Sequence, residues 1–312
     1  MNKIPCRKSF TETILELAKE DKKIICLASD SRGSVTLGEF ADTLPDQFVE
    51  CGIAEQDEVG IAAGLATFGY KSFVCAPACF LSTRSLEQVK VDVAYSHTNV
   101  KIIGISGGVS YGALGMSHHS LQDIAVMRAI PGISIMLPAD EYQMREMTKA
   151  LVDFDGPVYV RMGRGAVENV YSDDFVPFKI GKANVLTEGN DVAVIVTGET
   201  VIQAYKAAAE LKDNGINARV IDMHTIKPFD TETVLKAAKE CSAVITVEEH
   251  SIYGGLGEAV SHEMLENGIF KPFKLIGFPD EPLVSGESKD LFPYYGLDSK
   301  AIIKTAKSLL GK

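Results

Sequence analysis

No stretch of the 312-residue sequence approaches the roughly 18 consecutive apolar residues that a membrane-spanning helix requires. The opening MNKIPCRKSF also lacks the long apolar run of a secretory signal. Together these absences lead us to expect a cytoplasmic protein. Cysteine is sparse: Cys6, Cys26, Cys51, Cys75, Cys79 and Cys241 form no CxxC pair. Cys75 and Cys79 have no second pair and no nearby histidine to complete a zinc site, so reduced, mostly buried thiols and no metal are expected. Basic residues are outnumbered, 31 Lys and Arg against 42 Asp and Glu, for a net charge of −11. An acidic chain repels phosphate backbones, so a nucleic acid is not expected as a partner. A few local arginines can still hold a phosphorylated metabolite. No glycine pattern matches a Walker loop or a dinucleotide fingerprint, and there is no low-complexity tract or short repeat.

Hydrophobic residues make up 46% and charged residues 23%, with a mean hydropathy of +0.08. That is a globular chain with slightly more apolar content than a free-standing soluble protein, an excess that an extra buried interface would explain. The length suits two domains. Apolar runs of strand length at 24–28, 72–76, 100–105, 133–137 and 158–161 alternate with amphipathic stretches at 11–19, 57–68, 86–95, 121–129 and 141–153. Such alternation implies right-handed crossovers and a parallel sheet. It lapses over AVENVYSDDFVPFK (166–179), a polar stretch carrying Pro177 that reads as a linker. It resumes with strands at 192–196, 218–221, 243–247 and 273–276, and helices at 200–213, 231–239, 258–266 and 299–309. The expected fold is α/β: two three-layer α/β/α domains with mainly parallel sheets, over residues 1–165 and 178–312.

CGIAEQDEVGIAAGLA (51–66) runs a short apolar strand into a helix rich in glycine and alanine. Glu55 stands at the junction, where an acidic residue is also an ordinary helix-start signal. Gly60, Ala62, Ala63, Gly64 and Ala66 imply very close packing, for which the plain reading is the core of the subunit itself. In ISGGVSYGALGMSHHSLQD (105–123) a strand ends and a loop opens with Gly107, Gly108, Gly112 and Gly115, and His118 and His119 precede a helix. Parallel sheets bind ligands in loops at the carboxyl ends of their strands, although this loop alone names no ligand. Arg7, Asp30, Ser34 and Arg164 are isolated polar residues, each readable as a solvated loop side chain. Asp30 and Ser34 follow the strand IICLA, and Arg164 follows the strand in VRMGRG. Strand ends converge in a parallel sheet, which gives these residues a common address.

Five segments in order carry a family resemblance: ECGIAEQ (50–56), GVSYG to MRAIPG (108–132), LPADE (137–141), DMHTIKPFD (222–230) and VEEHSIYGGLGEAV (247–260). The chain resembles the C-terminal half of a transketolase made as a separate subunit. It is similar, less closely, to the same half of deoxyxylulose-phosphate synthases and to 2-oxo-acid dehydrogenase β chains. SHHSLQD and Arg164 favour the transketolase. A structural subunit without chemistry is a third reading, opposed by the joint presence of Glu55, Phe80 and His118.

The resemblance implies a pyrimidine-binding domain, then a transketolase C-terminal domain. It implies thiamine diphosphate with Mg²⁺, and transfer of a two-carbon ketol unit from a ketose phosphate to an aldehyde. It assigns Glu55 to N1′ of the aminopyrimidine, where a shared proton favours the tautomer that activates the cofactor. It sets Phe80, in APACFLSTR, against the pyrimidine, Asp30 in a segment near the cofactor, and His118 facing the substrate. Arg7, Ser34 and Arg164 fall at sugar-phosphate positions, where a guanidinium fork pairs phosphate oxygens.

Three departures qualify the match. Nothing resembles the GDG…N motif that binds magnesium and the diphosphate, so the resemblance implies a separate N-terminal-half subunit, two of each chain. The family's GEDG loop reads Gly112-Ala113-Leu114-Gly115, with Leu114 at the place of an aspartate that contacts substrate hydroxyls. Ser106 stands where many transketolases carry a phosphate-binding histidine. Leu114, Ser106 and His119 therefore bear on substrate choice. Some split transketolases act on branched ketose phosphates such as apulose 4-phosphate, and a leucine facing a carbon without the usual hydroxyl fits that.

Overall fold

The computed structural model describes residues 4–312. Six strands of the first half, β1 (Ile24–Ala28), β2 (Phe48–Glu50), β3 (Lys71–Pro77), β4 (Val100–Ile105), β5 (Ser134–Met136) and β6 (Val158–Met162), pair in parallel. β1, β4, β5 and β6 are buried at every position, as sheets covered by helices on both faces demand. The second half contributes β7 (Asn184–Thr187), β8 (Val192–Val196), β9 (Ala218–Asp222), β10 (Thr225–Lys227), β11 (Ala243–Ser251) and β12 (Phe273–Phe278). The two sheets run β10-β5-β6-β4-β3-β1-β2 and β12-β11-β8-β9-β7. Both are parallel except at one edge each, where β10 and β7 run antiparallel. The fold is thus α/β with two mainly parallel sheets. No helix among the described residues is long and apolar enough to cross a membrane.

The helices expected from apolar spacing are present, among them Cys6–Glu20, Glu55–Thr67, Glu141–Asp153, Val201–Asp213 and Ser299–Leu310. Helices Gly38–Thr43 and Ser288–Tyr295 and strand β7 were not expected, and two further differences bear on the site and on the joint between the halves. Residues 86–95 form a short α-helical turn, Leu86–Gln88, that opens into a π-helix, Val89–Tyr95, and a second π-turn covers Phe80–Arg84. The apolar period of such wide turns resembles that of an α-helix, so spacing does not announce them. β10 was not expected either, because three residues carry no period of their own. It forms through long-range pairing with β5 of the first half, which brings a strand of the second half into the seven-stranded sheet.

That strand begins the joint between the two halves. Leu137 N–H donates to the His224 carbonyl at 2.9 Å. Asp140 is fully buried; one oxygen caps helix Glu141–Asp153 through Gln143 N–H, and the other accepts from Val170 N–H at 2.8 Å and Tyr171 N–H at 2.9 Å. The Tyr171 hydroxyl and the Gln143 amide both donate to Asp222 Oδ2 at 2.7 Å. The stretch 166–179 therefore holds no helix or strand, yet its middle is tied to both halves. LPADE and DMHTIKPFD, read from the sequence as family markers, serve here as the two sides of this joint.

Asp140→Ala should strip a helix cap and leave buried amides without acceptors, costing about 2–4 kcal/mol. Urea unfolding measures this. A loss well under about 1 kcal/mol would mean that the linker finds other acceptors.

Candidate active site

β2 leads through Cys51, whose N–H donates to the Ala28 carbonyl at 2.9 Å, and through Gly52 at positive φ, into helix Glu55–Thr67. Glu55, Asp57 and Glu58 in its first turn suit the positive end of the helix dipole. Glu58 anchors that turn. It is fully buried, accepts from the Ser29 hydroxyl, and accepts from Cys75 N–H at 3.1 Å, so it ties the helix start to the ends of β1 and β3. Burial pushes its carboxyl up to about 7. Asp30, next to Ser29, has φ 51° and an exposed side chain, and its N–H donates to Glu50. It follows the end of β1, next to Ser29, whose hydroxyl reaches Glu58 of this helix.

Glu55 is only 4% exposed. Its Oε2 accepts from Arg84 Nη1 at 2.8 Å, and the Arg84 guanidinium lies 4.0 Å over the Phe80 ring. Phe80 meets His118 edge-on at 5.4 Å between centroids, and His118 meets Tyr111 at 5.5 Å. Arg164 lies 4.8 Å over the Tyr111 ring. Arg7 donates from Nε to the Arg164 carbonyl at 3.0 Å and from Nη1 to the Ser34 carbonyl at 2.6 Å. One unbroken run of contacts thus joins Glu55, Phe80, His118, Arg164, Arg7 and Ser34, which span much of the first half in sequence.

The two arginines end this run. Burial first, then the neighbouring Arg164 charge, lowers the pKa of Arg7. Arg164 Nη1 is buried and has no hydrogen-bond partner. Two adjacent guanidinium groups with an unmatched donor suit an anion. Ser34 contributes its carbonyl to the placement of Arg7.

The loop between β4 and helix Asp123–Arg128 forms the remaining wall. Ser106 is buried with φ 61° and its hydroxyl has no partner. A Cβ at Gly112 would run into the Gly286 carbonyl, so glycine is required where the second half presses on this loop. Leu114 is 53% exposed and lines a cavity of about 280 Å³ with Ser110, Tyr111, Arg164, Glu287 and Ser288. The two histidines part company. His118 joins the ring contacts, whereas His119 is buried, with Nε2 3.4 Å from the Gly112 carbonyl. His119 props the loop from behind, and burial lowers its pKa.

Arg84 and Tyr111 were not singled out from the sequence. Arg84 stands four residues after Phe80 on a helical turn, the spacing that stacks side chains, and that signal was there to use. Tyr111 lies in GVSYG, hidden among its glycines. The small-residue helix also differs from the plain reading. Ala62 and Ala63 are core residues, but a Cβ added at Gly60 or Gly64 would meet nothing within 4 Å. Ile61 and, at 85% exposure, Phe68 extend that open side. Among the described residues no group of three or more His, Cys, Asp or Glu could hold a metal ion.

Known proteins resemble this chain over nearly its whole length. The transketolase pyrimidine-binding domain matches residues 2–169, and the transketolase C-terminal domain matches residues 181–302. The chain belongs to the transketolase family. It is 58% identical over 311 residues to one of the subunits of an apulose-4-phosphate transketolase from Phocaeicola vulgatus, covering 100% of this chain and 99% of that one. The corresponding apulose-4-phosphate transketolase subunit from Actinobacillus succinogenes is 37% identical, with 96% of each chain covered. A solved split-gene transketolase, an inactive beta4 tetramer, superposes with a TM-score of 0.89 at 36% identity over 99% of each chain. This transketolase-family subunit therefore has full-length relatives that are themselves separate subunits.

Folded Glu58 holds its proton up to about pH 7, whereas an unfolded glutamate releases it near about 4.3. Between those values the folded state binds more protons, so this group makes stability fall as pH rises. Glu58→Gln removes the charge and keeps the shape. Its melting temperature should gain on the parent protein progressively from pH 5 to pH 8, followed by differential scanning fluorimetry. A difference independent of pH would place the titration elsewhere.

Proposed function

We propose that this chain is the half of a two-chain transketolase that grips the aminopyrimidine of thiamine diphosphate and the substrate phosphate. Its partner would be a separate N-terminal-half subunit that holds Mg²⁺ and the diphosphate, with two of each chain in the assembly. The observation that carries this is the run from Glu55 to Arg7, a buried carboxylate at one end and two arginines at the other. The aminopyrimidine end fits the group: a planar cationic guanidinium already stacks on Phe80 and pairs with Glu55.

Bound thiamine diphosphate would supply the carbanion that cleaves a ketose carbon–carbon bond. Glu55 would hold a proton at pyrimidine N1′, and Phe80 would give the ring an apolar face. His118, between Phe80 and Tyr111, would exchange a proton with a substrate hydroxyl. Arg164, with its unmatched Nη1, and Arg7 would take the phosphate, and Ser34 would hold Arg7 in place. Asp30 would face the cofactor from the end of β1. The open Gly60 and Gly64 side, with Ile61 and Phe68, is the face for the partner helix. Six unpaired thiols fit a cytoplasmic place.

Leu114 and Ser106 point to a donor other than the usual ketose pair, and a branched ketose phosphate such as apulose 4-phosphate leads, given the 58% identical relative from an apulose-4-phosphate transketolase. A hydroxyl facing Leu114 loses its water without compensation, a cost of roughly 1–3 kcal/mol, or tenfold and more in discrimination.

Isothermal titration should detect thiamine diphosphate binding, with magnesium, to the reconstituted pair and not to this chain alone. Micromolar affinity for the single chain would sink the division of labour. In the pair, Glu55→Gln should cost about 10²–10⁴-fold in turnover with the fold intact, whereas a near-normal rate would make Glu55 a helix-start residue only.

Steady-state kinetics on branched and unbranched donors test the substrate. The parent pair should prefer the branched phosphate by about tenfold or more, and Leu114→Asp should narrow that gap. Full activity on xylulose 5-phosphate and ribose 5-phosphate, unaltered in Leu114→Asp, would remove this position from substrate choice.

A further inference from the structure

Arg84 has no part in the proposed reaction, yet it touches both groups assigned to the aminopyrimidine. We propose that Arg84 is a built-in stand-in for that ring: it keeps Glu55 and Phe80 in working position and is displaced when the cofactor loads. This rests on the reading of Glu55 and Phe80 as the aminopyrimidine's partners.

The chemistry of the two groups is alike. A guanidinium is flat and positively charged, with N–H donors in its own plane. An aminopyrimidine protonated at N1′ is also a flat amidine-type cation with in-plane N–H donors. Each can stack on an aromatic face while donating to a carboxylate at its edge. Arg84 does both, with Nη1 at 2.8 Å from Glu55 Oε2 and its guanidinium carbon 4.0 Å from the Phe80 centroid. The same ring face and the same oxygen cannot serve two flat cations at once, so cofactor entry requires Arg84 to leave.

The mounting allows this. The Glu55 side chain is 5% exposed, whereas that of Arg84 is 45% exposed. The backbone under Arg84 is fixed, because Ser85 donates to the Phe80 carbonyl from both its N–H, at 3.2 Å, and its hydroxyl, at 3.3 Å. Only the side chain has to swing. Before it does, the buried Glu55 carboxylate has a cationic partner, which a buried charge requires. Once the cofactor arrives, one cation replaces another and Glu55 is never left alone. The consequence is a cofactor affinity set below what bare Glu55 and Phe80 would give.

The experiment uses the reconstituted two-chain enzyme. Arg84→Met keeps the apolar stem and removes the flat cation; Arg84→Lys keeps the charge and removes the flatness. Calorimetric titration with thiamine diphosphate and magnesium gives the affinity, and thermal melting of the chain alone gives the cost of losing the pair. Arg84→Met should bind cofactor about three- to tenfold more tightly, the size expected for a half-exposed ion pair with a ring contact. The free chain should melt lower, and Arg84→Lys should fall between the two. In a Glu55→Gln background, Arg84→Met should have less effect on affinity, because the two residues act through one contact. Unchanged or weaker binding by Arg84→Met, with Glu55→Gln still inactive, overturns the stand-in alone. Unchanged affinity and turnover in Glu55→Gln overturns the reading of Glu55 beneath it.

Discussion

One buried guanidinium holds the molecule together around its site. Arg161, on β6, donates from Nη2 to the Glu249 carbonyl at 2.6 Å, and the Glu249 carboxylate lies 3.7 Å from the same nitrogen. Its Nε is 3.4 Å from Asp123 Oδ2, which also accepts from the Tyr159 hydroxyl at 2.8 Å. Glu249 in turn accepts from Val109 N–H at 2.9 Å. Arg161 and Tyr159 belong to the first sheet, Glu249 to the second, and Asp123 and Val109 to the loop and helix that carry His118. Burial pushes the Glu249 carboxyl above its usual range against the pull of Arg161. Such a cluster is weak evidence of net stability, since desolvation offsets much of the attraction. Its effect is positional: removing one member leaves buried charge uncompensated, so the halves and the loop are held in one register. Gly107 and Gly108 follow from it, because a Cβ at either would strike Arg161 or Glu249.

The neighbour of Glu249 does the opposite job. Successive strand residues point to opposite faces. Glu248 turns the other way and caps helix Leu256–Glu266 through Leu256 N–H at 2.7 Å and Gly257 N–H at 2.8 Å. The segment VEEHSIYGGLGEAV therefore does no chemistry that we assign. One glutamate ties β11 to the site loop and the other starts the next helix. Together with Asp140 and Asp222 it shows why a family's segments can persist in order without touching a ligand: they fix how two α/β units meet.

This also marks what the sequence could disclose. Strands β1, β4 and β8 were legible to the residue, because continuous apolar runs between polar turns have few other readings. Helix Glu141–Asp153 was legible from its apolar spacing. β10 was not, since its partner lies some 90 residues earlier in β5. Within the site, residues after strand ends were gathered by the rule that such ends converge. What that rule cannot give is which atom is used. Ser34 serves through its carbonyl, His119 lies behind the loop, and Arg84 went unnoticed although its spacing from Phe80 was readable. The glycine-rich helix was read as packed within the core, which holds for Ala62 and Ala63, but Gly60 and Gly64 face out of the chain. Composition reports that small residues are needed, not on which side.

Charge gives the last step. The chain carries a net −11, yet Arg7 on a helix, Arg84 on a π-turn and Arg164 after β6 are joined by one run of contacts. A long-range field of the wrong sign would hinder a phosphorylated ligand only over the Debye length, about 8 Å at physiological salt. Inside a half-buried cleft, direct pairing with an unmatched guanidinium donor outweighs that field, because screening by water is reduced there. A net negative chain with guanidinium groups in a cleft would therefore favour small anions that can enter over extended polyanions that must lie on the surface. Each of the three arginines is also held by contacts within this chain, to Ser34, to Glu55 or to Tyr111. The guanidinium groups are thus placed by this chain's own contacts, so that under the two-chain proposal the partner would have only to close over them.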